Sequence, residues 1–537
     1  MSEEEKAALA EAQKKQPWVV TDFGYKSDAA MGFAKPEGTT HLWVIGLQDE
    51  KAVCLTDGDR SHVMPCWSPD GSSLIFASSR ARPKQEFLGM DLFSVPAEKG
   101  EIRRLTDSMN VAYYPRPLAP QFTPDGKTII VGGLVMNSGG LPPTQLFRVP
   151  AEGGEAVRIT PDESPCEGVT AFLYNGDGYG DYYETMQVSS DGQYAYFISG
   201  WHGSSNIYRV NIEGKPVIEP LTSGQQYFKS IGKPAGGQMV CIGGDMNTPA
   251  EVYQVDEASG SAVRLTFSNP WLDEVEIRPM EELWIKTLDG AAQVQGWGIR
   301  PHNSEPGKKY PAVLYIHGGP SPFYGYALTY EFQLMAAAGI GLILVNPRGS
   351  TGYGARHSQM KYAFDGTAYT DLLQFVDEAV RQFDWIDGER LGVCGGSYGG
   401  YMTTWIAGHS KRFKAAACHR GVANELISYG SSDMGGYPSS KPYESYTDFM
   451  IDKIKASPVT YTDQIDIPFL ILHGMRDMRC PVEHAHQLFT AIKDQHPDLP
   501  VRMVLFPKSN HSLTMSGPMY LRLIHYQENI DWFKKYL

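Results

Sequence analysis

The stretch of this chain most able to do chemistry is Gly395-Gly396-Ser397-Tyr398-Gly399, a serine with glycine two positions before and two after it. It follows the apolar run Leu391-Gly392-Val393-Cys394 and precedes the helix-forming Tyr401-Met402-Thr403-Thr404-Trp405-Ile406-Ala407. A strand that turns sharply into a helix leaves no room for side chains beside the turn, and it raises the central residue clear of the sheet. Ser397 is therefore read as a nucleophile. A phosphate or dinucleotide loop is the competing reading, and the stretch lacks both the Lys of a P-loop and the G-x-G-x-x-G spacing.

A serine nucleophile needs donors for the oxyanion, a base, and an acid that orients the base. His317-Gly318-Gly319-Pro320 follows the apolar run 312–316, and such a loop leaves backbone N–H groups unshielded; the N–H groups of Gly319 and Tyr398 are the expected oxyanion donors. Base and acid are expected in the chain order Ser, Asp or Glu, His. Asp477 lies on the loop after the apolar run Phe469-Leu470-Ile471-Leu472, and His511 on the loop after 501–506. Among the rivals, His473 ends a strand, while His484 and His486 stand two apart on a helical stretch and cannot share a face. Arg348, Arg420 and Asn424, near the same sheet edge, are the expected substrate contacts. No metal or organic cofactor is implied.

These motifs sit in a region where apolar runs at 312–316, 342–345, 391–394 and 469–472 alternate with helical segments at 371–382, 482–493 and 520–535. Near-continuous apolar strands between helices mean a parallel sheet covered on both faces. A hairpin turn at Asp289-Gly290 leads into it, and the α/β domain is expected over 281–537.

The first half has a different pattern, repeated five times. A leading aliphatic residue (Leu42, Leu92, Leu146, Ile207, Val252) is followed after 14, 14, 14, 15 and 14 positions by a Thr (56, 106, 160, 222, 266). Between these units lie hairpins whose turns read Ser68-Pro69-Asp70-Gly71, Thr123-Pro124-Asp125-Gly126 and Ser189-Ser190-Asp191-Gly192. Four short strands per repeat at this spacing predict a β-propeller over 41–280 with about five blades visible, after an N-terminal helix and lead-in over 1–40. A β-sandwich would not hold so constant an internal offset.

Composition bounds the rest. The 537 residues carry a formal net charge of −14, with 42% hydrophobic and 20% charged side chains, so the chain is globular and lacks the basic face that nucleic-acid binding requires. Seven scattered cysteines without metal-ligand spacing read as free thiols. There is no apolar signal core and no run long enough to span a bilayer, so a cytoplasmic protein without membrane partners is expected.

A propeller followed by this motif set resembles the prolyl oligopeptidase family of serine peptidases, which includes acylaminoacyl and dipeptidyl peptidases. The resemblance rests on His317-Gly318-Gly319-Pro320, Asn346-Pro347-Arg348-Gly349, Gly395-Gly396-Ser397-Tyr398-Gly399-Gly400, His473-Gly474 with Asp477, and His511. It implies a Ser397, Asp477, His511 triad, short peptide substrates cleaved near their N-terminus, and, since members often dimerise, a homo-oligomer. The His-Gly-Gly-Pro form looks more like the acylaminoacyl-peptidase branch. A carboxylesterase with the same triad, or a binding protein whose propeller works beside a relict hydrolase domain, are the alternatives. The family also carries a seven-bladed propeller preceded by an N-terminal piece of the hydrolase domain. Roughly two blades and that piece are not seen in the sequence.

Overall fold

The structure, a computed structural model, describes residues 19–20, 25–33, 39–79, 90–107, 109–111, 118–134, 144–160, 185–435 and 443–537. The expected N-terminal helix, Cys166 and the aromatic Tyr174–Tyr183 insert lie outside them.

Among the described residues, the N-terminal region is built of β-strands up to a short 3-10 helix at Pro270–Glu274. Trp43–Ile45 and Ala52–Cys54 form an antiparallel pair, followed by an antiparallel sheet of His62–Trp67, Ser73–Ser79, Met90–Pro96 and Arg103–Arg104. The next sheet comprises Gln121–Phe122, Thr128–Leu134, Thr144–Pro150 and Val157–Arg158. Met186–Val188, Tyr194–Trp201, Ser204–Asn211 and Ile218–Pro220 form a third, which a single parallel bridge from Ser205 to Tyr227 joins to a fourth of Tyr227–Ile231, Gln238–Gly244, Glu251–Asp256 and Ala262–Arg264.

The core of this region is a series of layers between successive sheets. Ile75, Ala77 and Leu92 of the first sheet pack on Ile129, Val131 and Val149 of the second. Ile130 and Leu146, on alternate positions of the second, pack on Ala195, Phe197 and Val210 of the third. Both faces of the second and third sheets are thus buried against neighbours, the packing of propeller blades, while the fourth leaves Val240 and Val263 exposed on its outer face. First strands are also tied to each other: the Gln121 side chain donates to Met186 O at 2.9 Å and accepts from Val188 N, and Gln187 donates to Ile231 O at 3.1 Å.

The constant Thr offset has a direct cause. Each Thr hydroxyl oxygen accepts the backbone N–H of its leading aliphatic residue, at 2.9 Å for Leu42, Leu92, Ile207 and Val252 and 3.0 Å for Leu146. The hydroxyl then donates to the side chain just before that aliphatic residue, in Thr106 to Asp91, Thr160 to Gln145, Thr222 to Asn206 and Thr266 to Glu251. A backbone N–H of each third strand is satisfied in this way, and the same bond forms at the one offset of 15, between Ile207 and Thr222.

From Glu281 a single eight-stranded sheet begins: β1 (Glu281–Lys286), β2 (Gln293–Ile299), β3 (Tyr310–Ile316), β4 (Gly341–Asn346), β5 (Ile386–Gly396), β6 (Ala415–His419), β7 (Phe469–Gly474) and β8 (Val501–Phe506). Their order is β1-β2-β4-β3-β5-β6-β7-β8; β2 is antiparallel to its neighbours and the rest are parallel. The helices are α1 (Tyr330–Ala337), α2 (Thr367–Gln382), α3 (Tyr398–His409), α4 (Glu425–Ser431), α5 (Tyr446–Lys455), α6 (Glu483–Gln495), α7 (Leu513–Ser516) and α8 (Met519–Tyr536). Alternation along β3 sends Leu314 and Ile316 to a core with α2, α3 and α6, and Val313 and Tyr315 to a core with α1 and α8. This is the architecture of an α/β hydrolase.

The two regions meet where the hairpin Trp201–Ser204 enters the α/β loops. Tyr326 N donates to Gly203 O at 2.9 Å and His202 N to Gly352 O at 3.0 Å. Gly203 is obligatory there, with φ +77° and a Cβ position only 2.7 Å from the Trp297 ring.

Contrary to expectation, a piece of the N-terminal lead-in does lie on the α/β region. Lys26–Ser27 and Gly32–Phe33 form a small hairpin, and Lys26 Nζ donates to Ser431 O at 3.0 Å. Its strands are two residues long, too short to carry a pattern to read.

Thr160→Val, which strips Leu146 N of its acceptor, is expected to destabilise the β region by about 1–3 kcal/mol. The measurement is the urea midpoint of its unfolding, and an unchanged midpoint would contradict the role given to the repeated Thr.

Candidate active site

The strand-to-helix turn between β5 and α3 places Ser397 at φ 61° and ψ −119°, a strained conformation for a residue with a Cβ. The turn can be this tight because a Cβ on Gly395 would lie 2.5 Å from Ile316 O, and one on Gly399 only 2.1 Å from the same carbonyl. Ser397 N donates to His419 O at 3.0 Å, which anchors the turn to β6.

The three predicted residues come together. His511 Nε2 is 3.0 Å from Ser397 Oγ, and His511 Nδ1 is 2.8 Å from Asp477 Oδ2. A carboxylate can only accept, so the imidazole proton sits on Nδ1 and Nε2 is left to take the hydroxyl proton. Asp477 is buried, and its other oxygen accepts the N–H groups of Arg479 at 3.0 Å and Cys480 at 2.8 Å. Burial raises the Asp477 pKa, opposed by His473, the Cys480 and Arg479 N–H groups and Arg420. Burial lowers that of His511, and the nearby charges of Arg420 and Arg479 lower it further.

The expected oxyanion donors flank the serine from two elements. Tyr398 opens the 12-residue α3, so its N–H is one of the first-turn donors with no intrahelical acceptor, at the positive end of the helix dipole. Gly319 sits in the loop after β3 at φ +115°. That loop is fixed by buried His317, whose Nδ1 donates to Gly318 O at 2.9 Å, leaving Nε2 to accept from Ser350 Oγ at 3.0 Å. Burial holds His317 down to about 4, so it is neutral.

The expected substrate contacts fare differently. Arg348 is buried, with its guanidinium forked onto Asp371 at 2.7 and 2.9 Å and reaching Asp289 at 2.5 Å. It ties the loop after β4 to α2 and to the β1–β2 turn, and its donors are committed to the fold. Asn424 caps α4 by accepting from Leu426 N at 2.8 Å and donates to Gln487 at 2.9 Å, which commits its amide likewise. Arg420 follows β6 at φ 41°, buried beside Gly396, and its charge acts on His511. Of the rival histidines, buried His473 donates to Cys480 O at 2.7 Å, buried His484 accepts from Ala423 N and Asn424 N, and His486 is exposed.

Sequence reasoning missed Asp28, Asp433 and Arg479, which stand around the Asp477 and His511 loops. It also passed over Cys480, whose N–H and carbonyl both serve the acid's surroundings. Among the described residues, no group of three or more His, Cys, Asp or Glu is placed to hold a metal ion.

A serine at a strand–helix elbow, hydrogen-bonded through histidine to a buried aspartate, has the geometry that acyl transfer requires. Residues 326–537 match the model of the prolyl oligopeptidase family, peptidase family S9. The chain is 36% identical over 354 residues to the uncharacterized peptidase YuxL of Bacillus subtilis, covering 65% of this chain, and 28% identical to dipeptidyl-peptidase 5 of Porphyromonas gingivalis, covering 83% of it. The matches span 53% and 63% of those relatives' lengths. In fold it is similar to the acylaminoacyl peptidase of Pyrococcus horikoshii, with a TM-score of 0.75 and 24% identity over 92% of this chain and 74% of that one.

The base works only when neutral, and the lowered His511 pKa extends its neutral range toward acid. The rate of activated-ester hydrolysis is therefore expected to be on its plateau at neutral pH and to fall to half below the ordinary imidazole value of about 6.5. A midpoint at or above pH 7 in the kcat/KM profile would show that His511 is not desolvated as described.

Proposed function

We propose that this chain is a serine peptidase that cleaves short peptides near their N-terminus through an acyl-enzyme on Ser397. The observation that carries the reading is the hydrogen-bonded relay from Ser397 Oγ through both nitrogens of His511 to Asp477. The match of residues 326–537 to the prolyl oligopeptidase model supports it, as do the relatives named as peptidases.

In the first step His511 Nε2 takes the hydroxyl proton as Ser397 Oγ attacks the peptide carbonyl. Asp477 holds the tautomer and stabilises the imidazolium that forms. The N–H groups of Gly319 and Tyr398 receive the oxyanion, and His511 gives its proton to the departing amine. Water repeats the sequence on the ester, restoring Ser397 and releasing the acid.

In this reading the propeller over 41–280 screens substrates by size and the hydrolase domain over 281–537 does the chemistry. The substrate N-terminus is either acylated, as for an acylaminoacyl peptidase, or free, as for an aminopeptidase or dipeptidyl peptidase. A cytoplasmic site of action and self-association complete the proposal. Among the described residues no helix is long and apolar enough to cross a membrane.

The test is hydrolysis of alanine p-nitroanilide, its N-acetylated form and a dipeptide p-nitroanilide, with Ser397→Ala as the blank. The wild type is expected to cleave at least one of the three, and Ser397→Ala none. The preferred substrate then assigns the branch. Cleavage of esters without any amide would make the chain a carboxylesterase, and equal rates in Ser397→Ala would end the reading.

A further inference from the structure

The loops that carry Asp477 and His511 leave neighbouring strands of the sheet and are tied directly by Arg476 N donating to Ser509 O at 2.9 Å, and a further tie comes from the far end of the chain. Residues 28–31 form the tip of the small N-terminal hairpin, closed by Met31 N donating to Asp28 O at 3.0 Å. The Asp28 side chain is pushed into the catalytic edge, and the residue is only 8% exposed. Its Oδ1 accepts two backbone N–H groups, that of Met478 at 2.9 Å and that of His511 at 3.0 Å; Oδ2 also faces His511 N at 3.3 Å. One carboxylate oxygen therefore joins the residue after the acid to the base itself, across 450 and 483 positions of sequence.

The surroundings hold this carboxylate in place. Asn510 Nδ2 donates to Asp28 O at 3.1 Å, and Asp28 N donates to Asp433 Oδ2 at 3.0 Å. Asp433 in turn pairs with Arg479 at 2.8 Å, on the Asp477 loop, and its own N–H donates to Met478 O at 2.7 Å. Burying an aspartate beside Asp477 is costly, and burial together with Asp477 raises the Asp28 pKa. One side-chain oxygen that accepts N–H groups from both loops suits a group that must hold the two loops in register.

We propose that Asp28 is a positioning residue for the reaction, clamping the Asp477 and His511 loops together so that the imidazole stays aligned between its acid and the serine. The proposal rests on the reading of Ser397, Asp477 and His511 as the reacting set. It gives the N-terminal hairpin a part in catalysis and makes activity depend on its docking.

The experiment compares the full-length wild type with Asp28→Ala and Asp28→Asn on the p-nitrophenyl ester of N-acetylalanine. Asp28→Ala is expected to lower kcat by about 100-fold, the scale for a displacement near 1 Å, with KM changed less than twofold. Asp28→Asn, which keeps an oxygen for the two N–H groups, is expected to recover most of the loss. The second readout is the downfield proton resonance of the His511 Nδ1–H bonded to Asp477, expected to shift or vanish in Asp28→Ala while circular dichroism stays native. An unchanged kcat with an unchanged resonance overturns the clamp, as does a loss confined to KM. If the wild type hydrolyses no ester, the peptidase reading fails and the resonance alone decides: its loss in folded Asp28→Ala supports the clamp, and its persistence refutes it.

Discussion

The whole site depends on how closely β5 and α3 approach β3 at the Ser397 turn. With Gly399 Cα positioned so that a Cβ would fall 2.1 Å from Ile316 O, no other residue fits. That approach lifts Ser397 Oγ above the sheet, leaves the first N–H groups of α3 facing the same space, and sets where base and acid must stand. Strain at Ser397 follows from the same geometry. The parallel order β3-β5-β6-β7-β8 then delivers the loops of His317, Asp477 and His511 to one edge of the sheet, the edge at which open α/β sheets build their sites.

Around this rigid centre the protein uses two kinds of support. The first is local and repetitive: the Thr hydroxyls of the β region each satisfy one backbone N–H 14 or 15 positions earlier in sequence, so each sheet is internally specified. The second is long-range and particular. Arg348 joins α2 and the β1–β2 turn to the loop after β4, Gly203 admits the propeller hairpin against Trp297, and Asp28 bridges two catalytic loops. Contacts of this second kind decide how the parts sit together, and hence how well the imidazole is aligned.

That division explains what could be read from residues alone. The nucleophile turn, the His317 loop, the order of acid and base, and the Thr repeat are all local signals in which a residue type and a short spacing follow from one geometric need. Arg348 and Asn424 looked equally suggestive because they lie near the catalytic edge, yet their partners Asp371 and Gln487 come from separate helices, and no spacing reveals that a donor is already taken. Asp28 sits in the unremarkable stretch Lys26-Ser27-Asp28-Ala29-Ala30, and its partners are more than four hundred residues away. A two-residue strand has no periodicity, so the N-terminal hairpin was invisible as well.

The central claim, that Ser397 is a nucleophile activated by His511, is tested most directly by intact-protein mass spectrometry after treatment with diisopropyl fluorophosphate, followed by peptide mapping. One phosphoryl adduct per chain is expected, located on Ser397 and suppressed when His511 is replaced by alanine. An unmodified protein, or an adduct on another residue with Ser397 untouched, would contradict it.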